Sequence, residues 1–478
     1  MVEGYIEKDK RKKILLLSDD LRMHSGVATM SREIAVGTAH KYNWFQLGAA
    51  LKHPEIGKII DVSEEINKNS KLTDADVKVM PHEGYGNAMI IRNLIKREKP
   101  DAIFIFTDPR YWLWLFEIER EIRSQIPICW LNIWDDYPAP MYNRNYYNSV
   151  DCLMGISKQT VNINKLVLGK DADSKVIKYV PHGINPDQFF PIDEKHELYS
   201  KLQEFKAQTI PNKDIEFIAY FNSRNIHRKR PGDIILSFKY FCENLGEEKA
   251  KKVALVMHTE LVNNHGTDLK AVKDAIYPEG NIYFSTGKIN TGQMNFMYNI
   301  ADVTMLITSN EGWGLSLTES IMAGTMVIPN VTGGMQDQCR FVDDEGKWID
   351  FDSDFPSNHR GTYKECGAWA EPVFPSNISL AGSPGTPYIF DDRCSPDDVA
   401  AALDFVYGLP KEIRDKNGIT GQQWLLSDEA QMTSKHMCSN IIDALEETFD
   451  KFVPRPNYEV FKAEPETSSK VTHKLTGY

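Results

Sequence analysis

Cysteine is scarce and scattered. Seven cysteines, at 129, 152, 242, 339, 366, 394 and 438, are spread over 478 residues with no CxxC pair. That spacing indicates neither a disulfide framework nor a zinc site. Long apolar runs are missing as well. No stretch approaches the roughly 18 uncharged apolar residues that a membrane span needs. The start, MVEGYIEKDKRKK, is charged and leads only into the short apolar run Ile14 to Leu17. This does not fit a signal peptide, and a cytoplasmic protein without an integral membrane segment is expected. No repeat of solenoid length and no compact His/Asp cluster is present. An excess of positive charge is also lacking: the net charge is −12, which by itself argues against a polyanionic partner.

What is present is ordinary globular material. Apolar residues make up 42% and charged residues 26%, enough for two or three domains with large cores. The acidity is uneven. Residues 1–190 balance at +1, whereas residues 191–478 carry −13, so a polyanionic partner for the first half stays open.

Short apolar runs alternate with amphipathic stretches. Strands are expected at 12–20, 101–106, 127–134, 151–157 and 176–181 in the first half, and at 216–221, 252–258, 281–285, 303–309 and 325–330 in the second. Helical patterns lie between them, from Val27 to about His40, at 233–245 and at 317–323. Strands apolar on both faces and alternating with helices indicate parallel sheets covered on both sides. One such sheet per half gives two doubly wound α/β domains. The boundaries read as 1–187 for the first domain, 188–412 for the second, 413–450 for returning helices and 451–478 for a polar tail. Residues 343–396, rich in Asp, Gly, Pro and Ser, read as a long surface insertion.

Two motifs carry chemistry. In SNEGWGLSLTES (309–320) a strand end is followed by Glu311, the loop Gly312-Trp313-Gly314, and a helix bearing Glu319. Bare N–H groups at a glycine loop and a helix start form a place for phosphate. The two glutamates, eight apart, are acceptors for hydroxyls. In FNSRNIHRKRP (221–231), Arg224 and Lys229 stand five apart with Arg228 and Arg230 beside them. Cations after a parallel strand are placed for an anionic ligand.

These motifs, in this order, resemble the donor domain of retaining glycosyltransferases of the GT-B architecture, most closely glycosyltransferase family 4. Matching features are Glu311 and Glu319 around Gly-x-Gly, Arg224 and Lys229, the Gly-Gly loop at Thr332-Gly333-Gly334, and the first-domain loop Ser25-Gly26-Val27. The resemblance implies two Rossmann-like domains facing a cleft, with a C-terminal crossover helix. It further implies a retaining, metal-independent transfer of a sugar from a nucleoside-diphosphate sugar to a hydroxyl acceptor, with no cofactor beyond that donor. Arg224 and Lys229 would neutralise the diphosphate, and Glu311 would take a sugar hydroxyl. Glu319 would take the ribose hydroxyls. The backbone of Gly312, Trp313, Gly314 and Leu315, with Ser25 and Gly26, would hold phosphates and sugar. A carbohydrate, a lipid or a modified DNA base is admitted as acceptor, and a silent nucleotide-sugar-binding scaffold is the rival of another class.

Departures from the family pattern are informative. The acidic residue after the Gly-Gly loop, usually Glu, is Asp337. A strand that usually ends in His-Asp ends here as Trp134-Asp135-Asp136. The family His contacts the sugar, so an indole there would fill the place of a hexose hydroxymethyl, and a pentose donor is expected if Trp134 lines the pocket. Asp108, Asp135 and His182 are further cleft candidates. The aromatic run 111–116 reads as a buried helix start, with an acceptor platform as the sharper alternative.

Overall fold

The computed structural model describes residues 4–49, 54–351 and 363–456, and in it the apolar runs become the strands of two sheets. The first holds β1 (Lys12–Asp19), β2 (Tyr42–Ala49), β3 (Ile60–Asp61), β4 (Val77–Pro81), β5 (Ala102–Phe106), β6 (Ile128–Asn132), β7 (Cys152–Gly155) and β8 (Val176–Tyr179), in the order β3-β4-β2-β1-β5-β6-β7-β8. Neighbours are parallel except β3, which runs antiparallel to β4 at the edge. The second sheet holds β9 (Phe217–Asn222), β10 (Val253–His258), β11 (Ile282–Ser285), β12 (Val303–Leu306) and β13 (Met326–Pro329), in the order β11-β10-β9-β12-β13, parallel throughout.

The central strands are buried on both faces because helices cover both. In β1, Ile14 and Leu16 pack with Ile34 and Ile441, while Leu15 and Leu17 pack on the other side with Ile91 and Leu115. Each fully buried side chain of this kind contributes roughly 1.5–3 kcal/mol. Three strands of the first sheet, β2, β3 and β4, are absent from the expected set. β2 escapes pattern reading because it carries Asn43 and Gln46 in a buried strand. Gln46 is satisfied by the end of β1 and the turn after it: its Nε2 donates to Ser18 Oγ at 2.7 Å and Asp19 O at 2.8 Å, and its Oε1 accepts from Leu21 N at 3.0 Å.

Strand order reverses on either side of β1 and again on either side of β9. Crevices open at such switch points, beyond the carboxyl ends of the strands. The chain leaves the first domain beside Ile184, which pairs with Thr433 where the chain returns. The C-terminal helix Ser434–Lys451 then packs on the helix Gly26–Thr38 and on β7 and β8. Tyr42 Oη donates to Glu446 at 2.5 Å, and Lys178 pairs with Glu447 at 2.6 Å. Of the tail, residues 457–478 lie outside the described residues.

The segment 343–396 is more than a surface insertion. Trp369, Ala370 and Val373 are buried, and the backbone at 369–373 hydrogen-bonds along β13. Trp348 and Trp369 both pack on Trp424. The antiparallel hairpin β14 (Asn377–Ser383) and β15 (Thr386–Arg393) then reaches across to the first domain. Phe390 N donates to Tyr137 O at 2.7 Å and Tyr142 Oη to Tyr388 O at 3.0 Å. Asp392 N donates to Ser309 O at 3.0 Å, tying the hairpin root to the second domain. Apolar residues marked this region too weakly for pattern reading, because their partners lie elsewhere in the chain. Among the described residues no helix is long and apolar enough to cross a membrane.

Candidate active site

β9 and β12 are neighbours, so the loops that follow them face each other. Arg228 O accepts from Ser309 N and Thr308 Oγ1, both at 2.9 Å. This lock brings two cations to Glu311. Lys229 Nζ is ion-paired with the Glu311 carboxylate. Arg228 Nη1 donates to Asn310 O at 2.7 Å and reaches Glu311 Oε2 at 3.2 Å. Burial works to raise the Glu311 carboxyl, but Lys229 and Arg228 hold it below its ordinary value. Burial pushes the Lys229 ammonium down, against the pull of Glu311.

Of the predicted pair of cations, the structure thus places Lys229 in the buried cluster. Arg224 is exposed, and its side chain makes no hydrogen bond or ion pair among the described residues. Arg228, read from the sequence only as a neighbour, takes the inner position. Its signal was its place beside Lys229 in the tight turn His227–Lys229.

The helix Leu315–Met322 begins after Gly314, which has φ +87° and offers no capping side chain. Its first N–H groups are therefore free of side-chain partners, and the helix dipole makes this end attractive to an anion. Trp313 does not face the crevice as a ligand group. It is buried, and its indole donates to Thr318 Oγ1 at 2.9 Å. Gly312 lies against Ile133 of the first domain. Gly333, at φ +53°, passes so close to Glu311 that a Cβ would sit 1.9 Å from Glu311 O. Only glycine fits there, and Gly334 N donates to Glu311 O at 3.0 Å.

Glu319 lies one turn into the same helix. Tyr298 Oη donates to Glu319 Oε2 at 2.6 Å, and Asn222 Nδ2 donates to Tyr298 Oη at 2.8 Å. Burial lifts the Glu319 carboxyl to about 7, against the Tyr298 hydrogen bond. Tyr298 was not foreseen, since it comes from a separate helix, Thr291–Ile300.

From the first domain, Ser25 caps the helix Gly26–Thr38 by accepting from Ala28 N at 3.1 Å, and its Oγ donates to Asp19 Oδ2 at 2.9 Å. Gly26 faces the donor loop: a Cβ there would sit 3.3 Å from Leu315 Cδ1. Asp135 is half-buried, and burial raises it to about 6, with Arg228 opposing and Glu311 assisting. It therefore belongs to the Glu311 cluster. His182 is buried between Phe106 and Trp313, with ring centroids 5.6 and 6.2 Å away. Burial lowers it to about 3, against Glu311. It is a neutral packing group where the domains meet.

One expectation is corrected. Trp134 does not line a sugar pocket. It is 7% exposed and belongs to the first domain's core; its indole donates to Asp136 O at 2.9 Å, and it meets Tyr142 edge-on at 5.9 Å. Asp108 is engaged locally: it accepts from Arg110 N at 2.9 Å and is ion-paired with the Arg110 guanidinium.

Asp337, at the Gly-Gly loop of the second domain, also binds the first domain. Its Oδ2 accepts from Lys158 N at 2.9 Å and Tyr179 Oη at 3.0 Å, both in the first domain.

Two parallel-sheet domains, a cleft lined by their strand ends and a returning C-terminal helix define the GT-B architecture of glycosyltransferases. Within it, residues 202–350 match the family model described as glycosyl transferases group 1. Solved structures similar in fold include a glycosyltransferase from Rickettsia africae, with 14% identity, a TM-score of 0.61 and coverage of 92% of this chain and 99% of that one. Sucrose-phosphate synthase from Thermosynechococcus elongatus shows 12% identity, a TM-score of 0.61 and coverage of 92% and 100%. HepE from Anabaena, in complex with UDP and glucose, shows 10% identity, a TM-score of 0.61 and coverage of 91% and 100%. No curated protein sequence matches the chain.

Proposed function

We propose that this chain transfers a sugar, with retention and without a metal ion, from a nucleoside-diphosphate sugar to a hydroxyl acceptor. The observation that carries this reading is the convergence of Lys229 and Arg228 on Glu311 in front of the uncapped start of the helix Leu315–Met322. Without donor, Glu311 neutralises the cations. With donor, the diphosphate takes over Lys229 and Arg228, and Glu311 is released to accept a sugar hydroxyl. Glu319 takes the ribose hydroxyls. As the bond from the sugar C1 to the phosphate oxygen breaks, its electron pair moves onto that oxygen. The cations and free N–H groups stabilise the growing charge, a preorganised effect on the order of 100-fold per donor group. The acceptor hydroxyl attacks C1 from the face the diphosphate leaves, and its proton passes to the departing phosphate.

A UDP-sugar is the first donor to test, because HepE was solved with UDP and glucose and a further structure of this fold, from E. coli, with UDP-2-fluoro glucose. The burial of Trp134 removes the argument for a donor lacking the hydroxymethyl, so hexose and pentose donors enter the test on equal terms. The test is release of nucleoside diphosphate from a donor panel without acceptor, in excess chelator. Slow release that survives chelation supports the reading. Nucleotide binding with no release from any donor would favour a silent scaffold, and release that requires an added divalent ion would overturn the metal-independent mechanism.

A further inference from the structure

The first domain presents a shelf that the donor site does not use. It is built from residues that follow β1, β4 and β5, at the strand ends facing the crevice. Tyr85 and Tyr111 are stacked, with ring centroids 4.1 Å apart and planes 8° from parallel. Trp112, fully buried, supports Tyr85 edge-on at 5.2 Å. Tyr85 Oη donates to Asp19 Oδ1 at 3.2 Å, and Ser25 Oγ holds the other carboxylate oxygen. The pair is fixed, yet Tyr111 remains 47% exposed.

The position of the shelf is defined on two flanks. On one side, Asp19 leads through Ser25 to Gly26, which faces Leu315 of the donor loop, since a Cβ at Gly26 would sit 3.3 Å from Leu315 Cδ1. On the other, Arg110 reaches Thr386 of the hairpin at 3.4 Å. A rigid aromatic pair between these flanks offers a ring face to whatever enters the cleft beside the donor. Two neighbouring cations are already paired, Arg110 with Asp108 and Arg22 with Asp20, the latter at 2.6 Å. Asp19 is held by hydroxyl donors alone, so it is set to accept a further hydroxyl.

We infer that Tyr111, backed by Tyr85, is the stacking platform for the acceptor, and that the acceptor presents a ring face to it together with a hydroxyl that Asp19 orients. This rests on the glycosyl-transfer reading above. A tyrosine face takes the apolar C–H face of a sugar ring by dispersion and desolvation and a planar base by π-stacking, so the shared feature is a ring face and the probes distinguish its source.

The test is saturation-transfer NMR on the UDP-loaded full chain, with methyl glucoside and thymidine as separate probes and calorimetry with UDP alongside. Ring protons of one probe should receive saturation in the wild type and in Tyr111→Phe. Tyr111→Ala should weaken that binding at least fivefold, the low end for loss of one ring stack. A methyl glucoside signal assigns the ring to a sugar, and a thymidine signal assigns it to a base. UDP binding without binding of either probe, or probe binding unchanged in Tyr111→Ala, would overturn the platform while leaving the donor site intact. Ring binding through Tyr111 in a protein that takes up no UDP would instead remove the glycosyl-transfer reading, and the acceptor role with it.

Discussion

Lys229 and Glu311 neutralise each other until something more anionic arrives, and this exchange makes single substitutions informative. Lys229→Ala should lower kcat for donor hydrolysis on the order of 100-fold, with a smaller change in KM, because the charge it meets grows in the transition state. Arg228→Ala should behave alike. Arg224→Ala, outside the buried cluster, should cost clearly less, and equal losses in steady-state kinetics would show that the buried pair is not the catalytic one. Glu319 gives a second handle. Its carboxyl sits at about 7 in the free protein, lifted by burial, and ribose hydroxyls need the ionised acceptor. Nucleotide binding therefore releases a proton below that value. UDP affinity should rise with pH up to about 7, by at most tenfold per unit, and then level off. Calorimetry at pH 6 and pH 8 on wild type and Glu319→Gln checks this. Titration of UDP itself appears in both proteins, so the difference between them reports Glu319.

At the scale of elements, the domains are held by side chains that belong to one and serve the other. Asp337 leaves the second domain to receive the N–H of Lys158 at the start of the helix Lys158–Leu168, and the hydroxyl of Tyr179. An acid at a helix N-terminus is favoured by the dipole. Asp337→Ala would strand both donors, at about 1–3 kcal/mol. Faster hydrogen exchange at the first turn of that helix, together with a lower unfolding midpoint, is expected; unchanged exchange would show that the contact contributes nothing. Contacts of this kind were the part hidden in the sequence. The inner strands were legible because apolar runs such as Ile14–Leu17 and Ala102–Phe106 are buried on both faces. The Glu311–Glu319 loop was legible because glycine spacing and acid spacing coincide. β2 was not, since Gln46 looks like a surface residue until its partners after β1 are known. Trp134 misled because an indole at a strand end reads equally well as pocket wall or core. Arg228, Asp337 and Tyr298 gain their meaning from partners far away in sequence.

On the scale of the whole molecule, the hairpin closes a junction of acids between the domains. Asp136, from the first domain, is 1% exposed, and neither of its carboxylate oxygens accepts a hydrogen bond. The hairpin brings Asp391 and Asp392 to it: Phe390 N bonds Tyr137 O, Arg230 is ion-paired with Asp391, and Thr332 Oγ1 donates to Asp392 Oδ2 at 2.6 Å. Burial, and after it Asp135, Asp392 and Asp391, raise the Asp136 carboxyl well above its ordinary value. Burial lifts Asp392 to about 6, against the Thr332 hydrogen bond. A carboxyl raised in the folded state binds its proton more tightly there than in the unfolded chain. The stability it contributes is fully present below the unfolded value, near 4, and is lost as pH rises toward the folded value. Asparagine imitates the protonated acid at every pH. Asp136→Asn should therefore match the wild type near pH 4 and gain on it as pH rises, by about 1.4 kcal/mol per unit until the folded value is reached. Denaturant unfolding of both proteins at pH 5 and pH 8 measures the gap. A gap that is the same at pH 5 and pH 8 would mean that the Asp136 carboxyl is not raised in the folded junction.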